Sequence, residues 1–353
     1  MYSESDLQDA VAAGAIPAQA AQALRDHVAG LRASPMVDEE HFRLLTGFND
    51  IFVAIASVLL LVAVGWLGNS LRFGAPDHHP AFMAGLLVAA VSWGLAEYFT
   101  RRRHMALPSI LLLGGFVGGI VFAVGALGAQ IFPHAGDSLA SMIVCVAAGA
   151  GVLAAWAHWR RFMVPITVAV GAAAAAGVGV SLVMAGTPDD MTLPFALLLI
   201  AGLAIFALAM RWDMSDRART TRRSDVAFWL HLAAAPMIAH SLFHLLGVMN
   251  GDEISAARAA LVIALYVAFG LIALAIDRRA LLVSSLAYVL FALYGLFRQV
   301  GAVELSWALT TLVIGAALLL LLSALWHHAR ALVVHGLPPR LSERLPYLDR
   351  AVA

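Results

Sequence analysis

Ten long apolar segments constrain this chain more than any other feature of its sequence. Most of them approach the ~20 residues that a helix needs to cross the hydrocarbon core of a bilayer. Helices are expected because lipid offers no hydrogen-bond partner to an open strand. The sequence therefore predicts an all-α, polytopic bundle of about ten transmembrane helices. The predicted segments are 51–67, 81–99, 106–129, 138–157, 163–185, 192–210, 226–248, 258–276, 280–299 and 305–326.

The overall composition excludes a soluble protein of this size. Of the 353 residues, 62% are hydrophobic and 12% are charged, whereas soluble domains average about 45–50% and about 25%. The formal net charge is zero, so the chain has no basic footprint for nucleic acid. The lipid bilayer is therefore the predicted partner, and nucleic acid is not expected.

The arginines predict the orientation of the bundle. When the connections are assigned to alternate sides, 19 of the 22 basic residues fall on the side of the two termini. Only Arg72, Arg258 and Arg298 fall on the other side. Short cytoplasmic loops carry an excess of basic residues. Both termini are therefore predicted to lie in the cytoplasm.

The chain divides into three predicted parts. Residues 1–49 form a short cytoplasmic helical hairpin, whose helical spacing breaks at Gly14 and resumes at Pro17, a residue that suits the first turn of a helix. Residues 50–328 form the ten-helix transmembrane domain, and residues 329–353 form a cytoplasmic interfacial tail. The tail places leucines on one helical face, as membrane-surface helices do: Leu337, Leu341, Leu345 and Leu348.

Glycines in the third segment predict close packing against a neighbouring helix. Small residues four positions apart let another helix approach the backbone. Two such pairs overlap here: Gly114 with Gly118, and Gly115 with Gly119.

Charged residues inside the segments are scarce. No acidic residue or arginine is predicted near the middle of any segment. Glu97 lies at the inner end of the second segment, four residues before Arg101 and in register to pair with it. Proton pumps and ion-coupled carriers keep a carboxylate near mid-membrane, so this pattern weighs against that class.

The seventh segment combines a proline with histidines. Pro236 lies near its middle and removes a hydrogen bond to the carbonyl of Leu232, which predicts a kink or hinge. His240 and His244 share a helical face, as two metal ligands on one helix must. His231 is nine residues before His240 and falls on the opposite face.

A divalent-metal site is one interpretation of the two histidines that share a face. Zinc binds three or four protein ligands, and the outer loops offer further ones. The competing interpretation is that these histidines lie at the interface and bond to loop backbone. No other cofactor is predicted. The candidate third ligand is His134, with His78, His79 and Asp137 as alternatives.

Two short stretches resemble a known family. One is Gly14-Ala15-Ile16-Pro17 with the run 42–50 that leads into the first segment. The other is 128–132, which reads Gly-Ala-Gln-Ile-Phe and is followed by Gly136-Asp137. Together they resemble predicted bacterial membrane proteins catalogued as domain of unknown function 2157, over roughly residues 1–140. The resemblance implies a topology in the bacterial inner membrane and no established activity.

The same resemblance directs attention to Gln130, which lies at the outer end of the third segment. A glutamine in this position can bond loop carbonyls, and Asp137 can cap the following helix. The alternative is that Gln130 contacts a substrate.

Three classes of function remain open. The first is a non-catalytic integral membrane protein with a sensory or assembly role, because the sequence contains no phosphate loop, Gly-x-Ser-x-Gly or His-Glu-x-x-His motif. The second is a small-molecule or lipid transporter of five plus five helices, with a cavity lined by Gln130, His240 and Ser241. The third is a metal-dependent hydrolase at the outer face.

Overall fold

The computed structural model describes residues 10–24, 49–71, 81–187, 192–217, 219, 221–247, 256–279, 282, 286, 290, 315 and 325–346. All regular secondary structure within these residues is helical. The helices are α1 (Asn49–Ser70), α2 (Phe82–Phe99), α3 (Ala106–Ile131), α4 (Asp137–Phe162), α5 (Ile166–Gly186), α6 (Leu193–Ser215), α7 (Arg222–Leu245), α8 (Ala256–Ile276), α9 (Trp326–His335) and α10 (Pro339–Ser342).

Helices α1 to α7 have the length and apolar composition of membrane spans, as expected of a multi-pass membrane protein. They coincide with the first seven predicted segments, and α8 coincides with the eighth. Several extend past the predicted ends: α6 continues from residue 210 to Ser215, and α4 continues from residue 157 to Phe162. Backbone hydrogen bonding carries these helices beyond the apolar core into the polar interface. The segments predicted at 280–299 and 305–326 lie almost wholly outside the described residues.

The described part of the N-terminal region contains a turn at Gly14. Helical residues precede and follow this turn within 10–24. Gly14 has a φ of 69°, and the amide of Ala15 donates to the carbonyl of Ala10 at 2.9 Å, which is the pattern of a glycine that ends a helix. The rest of the predicted hairpin lies outside the described residues. Helices α1 to α10 belong to a separate compact unit, residues 44–348.

Helix α7 is the most enclosed of the seven spans that the structure describes. Its apolar window is 61% buried, against 17–33% for α1 to α6. It packs against α6 along its length and also against α5, while α3 packs against α1, α2 and α4. The surfaces of the less buried helices carry exposed apolar side chains such as Leu59 and Leu153, which is the surface that lipid covers.

Helix α7 continues through Pro236 from Arg222 to Leu245. The predicted hinge is therefore not a break in the helix. A bend of the helix axis at Pro236 stays a prediction.

One of the two predicted glycine pairs forms a close helix contact. A Cβ atom on Gly119 would lie 2.6 Å from the carbonyl oxygen of Gly85 and 2.8 Å from the amide nitrogen of Ala89, and one on Gly115 would meet the hydroxyl of Ser92. All three contacts are with α2. Among the described residues, no atom lies within 4 Å of a Cβ placed on Gly114 or Gly118. The prediction of close packing is thus confirmed for Gly115 and Gly119 and wrong for the other pair.

Replacing Gly119 with alanine should destabilise the contact between α2 and α3, because the new methyl group would overlap backbone atoms that cannot move aside. We expect a loss of about 1–3 kcal/mol in the free energy of unfolding. Gly118→Ala is the matched control, since it adds the same group to the same helix in open space. Unfolding of the purified protein in mild detergent measures both. Equal stability of the two variants would contradict the close approach.

Candidate functional site

A group of charged and hydrogen-bonding side chains lies buried where the ends of α6 and α8 meet α7 and the start of α9. Each side chain is almost completely removed from solvent. Charges in such a position need partners, because burial removes their hydration. We call this group the buried ionic cluster, and its members are Asp213, Arg219, His231, Asp277, Arg278, Trp326 and Arg330.

Asp213 lies in the last turn of α6, and three side chains approach it. Arg278 donates through Nη2 to Oδ1 at 2.6 Å and through Nε to Oδ2 at 3.2 Å, in the two-pronged geometry that suits a guanidinium and a carboxylate. His231 Nε2 lies 3.0 Å from Oδ2, and Arg219 Nε lies 3.9 Å from Oδ1. Asp213 therefore connects α6 to α7 and to the segment after α8.

Asp277 is the second carboxylate of the cluster and follows the last residue of α8. Its φ of 59° is left-handed, and the amide of Arg278 donates back to the carbonyl of Ala273 at 2.9 Å, so Asp277 ends the helix. Trp326 Nε1 donates to Oδ1 at 2.8 Å, and Arg219 Nη1 donates to Oδ2 at 2.8 Å. Asp277 therefore connects α8 to the start of α9 and to the connection between α6 and α7.

Arginines of the same region also donate to backbone carbonyls. Arg219 Nη2 donates to the carbonyl of Ile276 at 3.0 Å, at the end of α8. Arg330 Nη2 donates to the carbonyl of Pro346 at 2.8 Å, and Arg217 Nε donates to that of Leu345 at 2.9 Å. The bonds from Arg330 and Arg217 hold the C-terminal segment against the helix ends.

The C-terminal leucines do not share one environment. Leu345 is 7% exposed and belongs to the same apolar core as Trp326, whereas Leu341 is 51% exposed. Leu337 packs against that core as a partly buried side chain. The predicted leucine stripe thus turns partly toward the helices, because arginines hold the backbone near Leu345 in place.

The chemistry available to the buried ionic cluster is limited by its bonding. Both oxygens of Asp213 and both oxygens of Asp277 accept from protein donors. Both carboxylates are also almost completely buried, so neither is open to a ligand that arrives from solvent. The arrangement suits a structural connection between helix ends.

The sequence patterns described above do not predict this cluster. Asp213 and Asp277 lie just beyond the predicted ends of two apolar segments, and the arginines entered only the count that predicts orientation. The sequence did contain a signal: Asp213 and Asp277 each lie at the end of an apolar segment and close in sequence to several arginines. His231 was correctly separated from His240, since it bonds to Asp213 instead.

A second ion pair lies at the end of α2. Arg161, at the end of α4, donates to both oxygens of Glu97 at 2.6 and 2.8 Å. Arg101 lies 3.4 Å from Glu97 Oε2. The predicted pairing of Glu97 with Arg101 is confirmed, but Arg161 is the closer partner. The side chains of this group are partly exposed.

The two histidines predicted as metal ligands lie on α7 with a phenyl ring against them. The ring centroids of His240 and His244 are 6.3 Å apart. Phe195 stacks on His244 with a centroid distance of 3.4 Å and lies 5.7 Å from His240. Among the described residues, His134 included, no three His, Cys, Asp or Glu side chains are placed to hold a metal ion. A site that uses His78 or His79 falls outside the described residues and stays a prediction.

The predicted substrate contacts lie on two different helices. Gln130 is partly buried near the end of α3, whose packing partners are α1, α2 and α4. His240 and Ser241 lie on α7, which packs against α5 and α6. Ser241 is fully buried, and its hydroxyl has no hydrogen-bond partner in the described part of the chain.

A pocket of about 640 Å³ lies between α4, α5, α6 and α7. Gln130, His240 and Ser241 do not line it. Most lining side chains are small or apolar, and the polar ones are Asp137, Ser141 and Ser181. The complete lining is Asp137, Ala140, Ser141, Val144, Ala173, Ala176, Gly177, Val180, Ser181, Met184, Leu198 and Met237.

Comparison with known proteins adds no relative to this description. The chain matches no family model, no curated protein and no solved structure.

Replacing Asp213 with alanine should strongly destabilise the protein. The variant leaves the buried guanidinium of Arg278 without its carboxylate, and breaking a buried pair in this way costs about 3–5 kcal/mol. Glu97→Ala is the control, because it removes an equally well-aligned carboxylate from a partly exposed pair and should change stability little. Denaturant unfolding in mild detergent measures both variants. A similar loss in the two would show that burial does not matter here.

Proposed function

We propose that this chain is a non-catalytic multi-pass protein of the bacterial inner membrane with a sensory or assembly role. In this role it presents a rigid cytoplasmic surface built on the buried ionic cluster. The bonding of Asp213 and Asp277 carries the proposal: every carboxylate oxygen of the pair accepts from the protein itself. A reactive or ion-carrying centre needs a group that a ligand can reach, whereas both of these carboxylates are buried and hold helix ends together.

The proposed topology has ten spans with both termini in the cytoplasm. Helices α1 to α8 coincide with the first eight predicted segments, which supports the alternation on which the arginine count depends. We also propose membership in the family catalogued as domain of unknown function 2157, on the residues that carry the resemblance. That membership supports the topology and adds no activity.

A small-molecule or lipid transporter is the second candidate. The pocket between α4, α5, α6 and α7 favours it, because carriers bind their substrates between helices. Its lining does not include the residues predicted to contact a substrate, so the non-catalytic interpretation ranks first.

Reporter fusions test the topology. Fusions after Ala75, Ala135, Pro188, Gly251 and Ala302 should all report the outer side, since each follows a segment that is predicted to run outward. Fusions after Arg103, Ser215 and Arg279 are the controls and should report the cytoplasm. A cytoplasmic signal at any of the first five positions would break the ten-span alternation.

If the cytoplasmic surface is rigid in this way, the position of the C-terminal segment should depend on Asp277. In a Cys145→Ser background, Leu345→Cys should react slowly with a maleimide because Leu345 is buried. Adding Asp277→Ala should raise that rate by about tenfold or more, since the segment then opens locally. Leu341→Cys is the matched control, because it is already exposed and should react at the same rate in both backgrounds.

Complementation of a deletion strain tests whether the function of the protein requires this rigid surface. If the surface is the functional part, Asp277→Ala should fail to complement at normal abundance, whereas Gln130→Ala combined with His240→Ala should complement. The reverse pattern would contradict the proposal and favour a transporter.

A further inference from the structure

The pocket between α4, α5, α6 and α7 has the depth of one leaflet. Along α5 its lining runs from Ala173 to Met184, which at 1.5 Å per residue is about 16 Å. The hydrocarbon core of a bilayer is ~30 Å thick. The pocket therefore extends from one end of the helices to about mid-membrane.

The wall of the pocket is apolar and open to the side. Small residues of α5 create the space, since Ala173, Ala176 and Gly177 have little or no side chain. Ala140, Val144 and Ala173 are exposed, so the pocket faces the surrounding lipid. Ser181 does not make this wall polar, because its hydroxyl donates to the carbonyl of Gly177 on its own helix at 2.6 Å.

One end of the pocket is charged. Asp137 is the first residue of α4 and is exposed, and Ser141 lies one turn further along the same wall. A carboxylate at the end of an apolar groove matches an amphiphile with an ammonium group. A phosphoglycerol headgroup has no cation to pair with Asp137, so the repulsion between its phosphate and the carboxylate is not offset.

We propose that this pocket binds one membrane phospholipid with a primary-amine headgroup. One acyl chain lies along Ala173, Ala176 and Val144, and the ammonium group donates hydrogen bonds to Asp137 and Ser141. The inference goes beyond the proposed function, because a bound lipid requires no transport. The proposed topology is used only to place this site in the outer leaflet of the membrane. The reporter fusions test that placement separately.

Lipid retention by the purified full-length protein tests the proposal. The protein in a non-ionic detergent is incubated with dioleoyl phosphatidylethanolamine, and native mass spectrometry counts the lipids bound per chain. We expect one retained molecule that dioleoyl phosphatidylglycerol displaces poorly. Asp137→Asn should lower the preference for the amine headgroup by about two- to fivefold, the range for a partly exposed ion pair.

Bulky side chains in the groove provide the matched comparison. Ala173→Phe should lower retention by about tenfold or more, because the ring occupies the space of the acyl chain. Ala175→Phe, on the same helix but outside the lining, should leave it unchanged. Val144→Trp and Val146→Trp repeat the comparison on α4 and decide the result if Ala173→Phe melts at a lower temperature.

Two results would overturn the proposal. One is equal retention by the lining variants and their controls. The other is retention of phosphatidylglycerol as strongly as phosphatidylethanolamine by the unsubstituted protein.

Discussion

The burial of Asp213 constrains the end of the molecule at which α6, α7, α8 and α9 meet. A carboxylate without water is stable only if cations and hydrogen-bond donors replace its hydration shell. Arg278 and His231 do so directly, and both come from other parts of the chain. Their backbone positions must therefore be correct before Asp213 can be buried. The position of each helix end therefore depends on the positions of the others. Apolar contacts rarely impose such a requirement, because they tolerate small shifts.

Asp277 extends the same constraint to the C-terminal segment. Its bonds to Trp326 and Arg219 connect the end of α8 to residues well before and well after it in the chain. Since Arg330 and Arg217 then hold the carbonyls of Pro346 and Leu345, the segment after α9 follows the cluster rather than the lipid surface alone. This explains why Leu345 is buried while Leu341 is exposed.

The sequence was most informative where one physical requirement acts on each residue separately. Bilayer thickness requires apolar segments of a given length, so the first eight helices could be predicted from composition alone. Pairing between distant residues is different, because Asp213 and Arg278 are 65 residues apart and no local pattern connects them.

The same limit applies to the glycines of α3. Spacing identifies two pairs, but only the neighbouring helix decides that Gly119 faces α2 and Gly118 does not. Gln130 and His240 were predicted to line one cavity because both were placed toward the outer side of the membrane. A shared side does not determine which helices are neighbours.

The pocket can be understood from how the helices pack around it. Helices α4 and α5 pack closely through small residues, since a Cβ on Gly171 would contact Ala155 at 3.4 Å. Helices α6 and α7 also pack closely, since one on Gly202 would lie 3.0 Å from Met237 and from Ile238. Direct packing between α5 and α6 is sparser than within either pair, so a gap remains where the two pairs meet. The buried ionic cluster joins α6 to α7 near the end of α6 through Asp213 and His231, so these two helices are connected by an ionic contact as well as by apolar packing. The α6–α7 pair thus contributes to both features: Asp213 and His231 join it at the cluster, and Leu198 and Met237 line one side of the pocket.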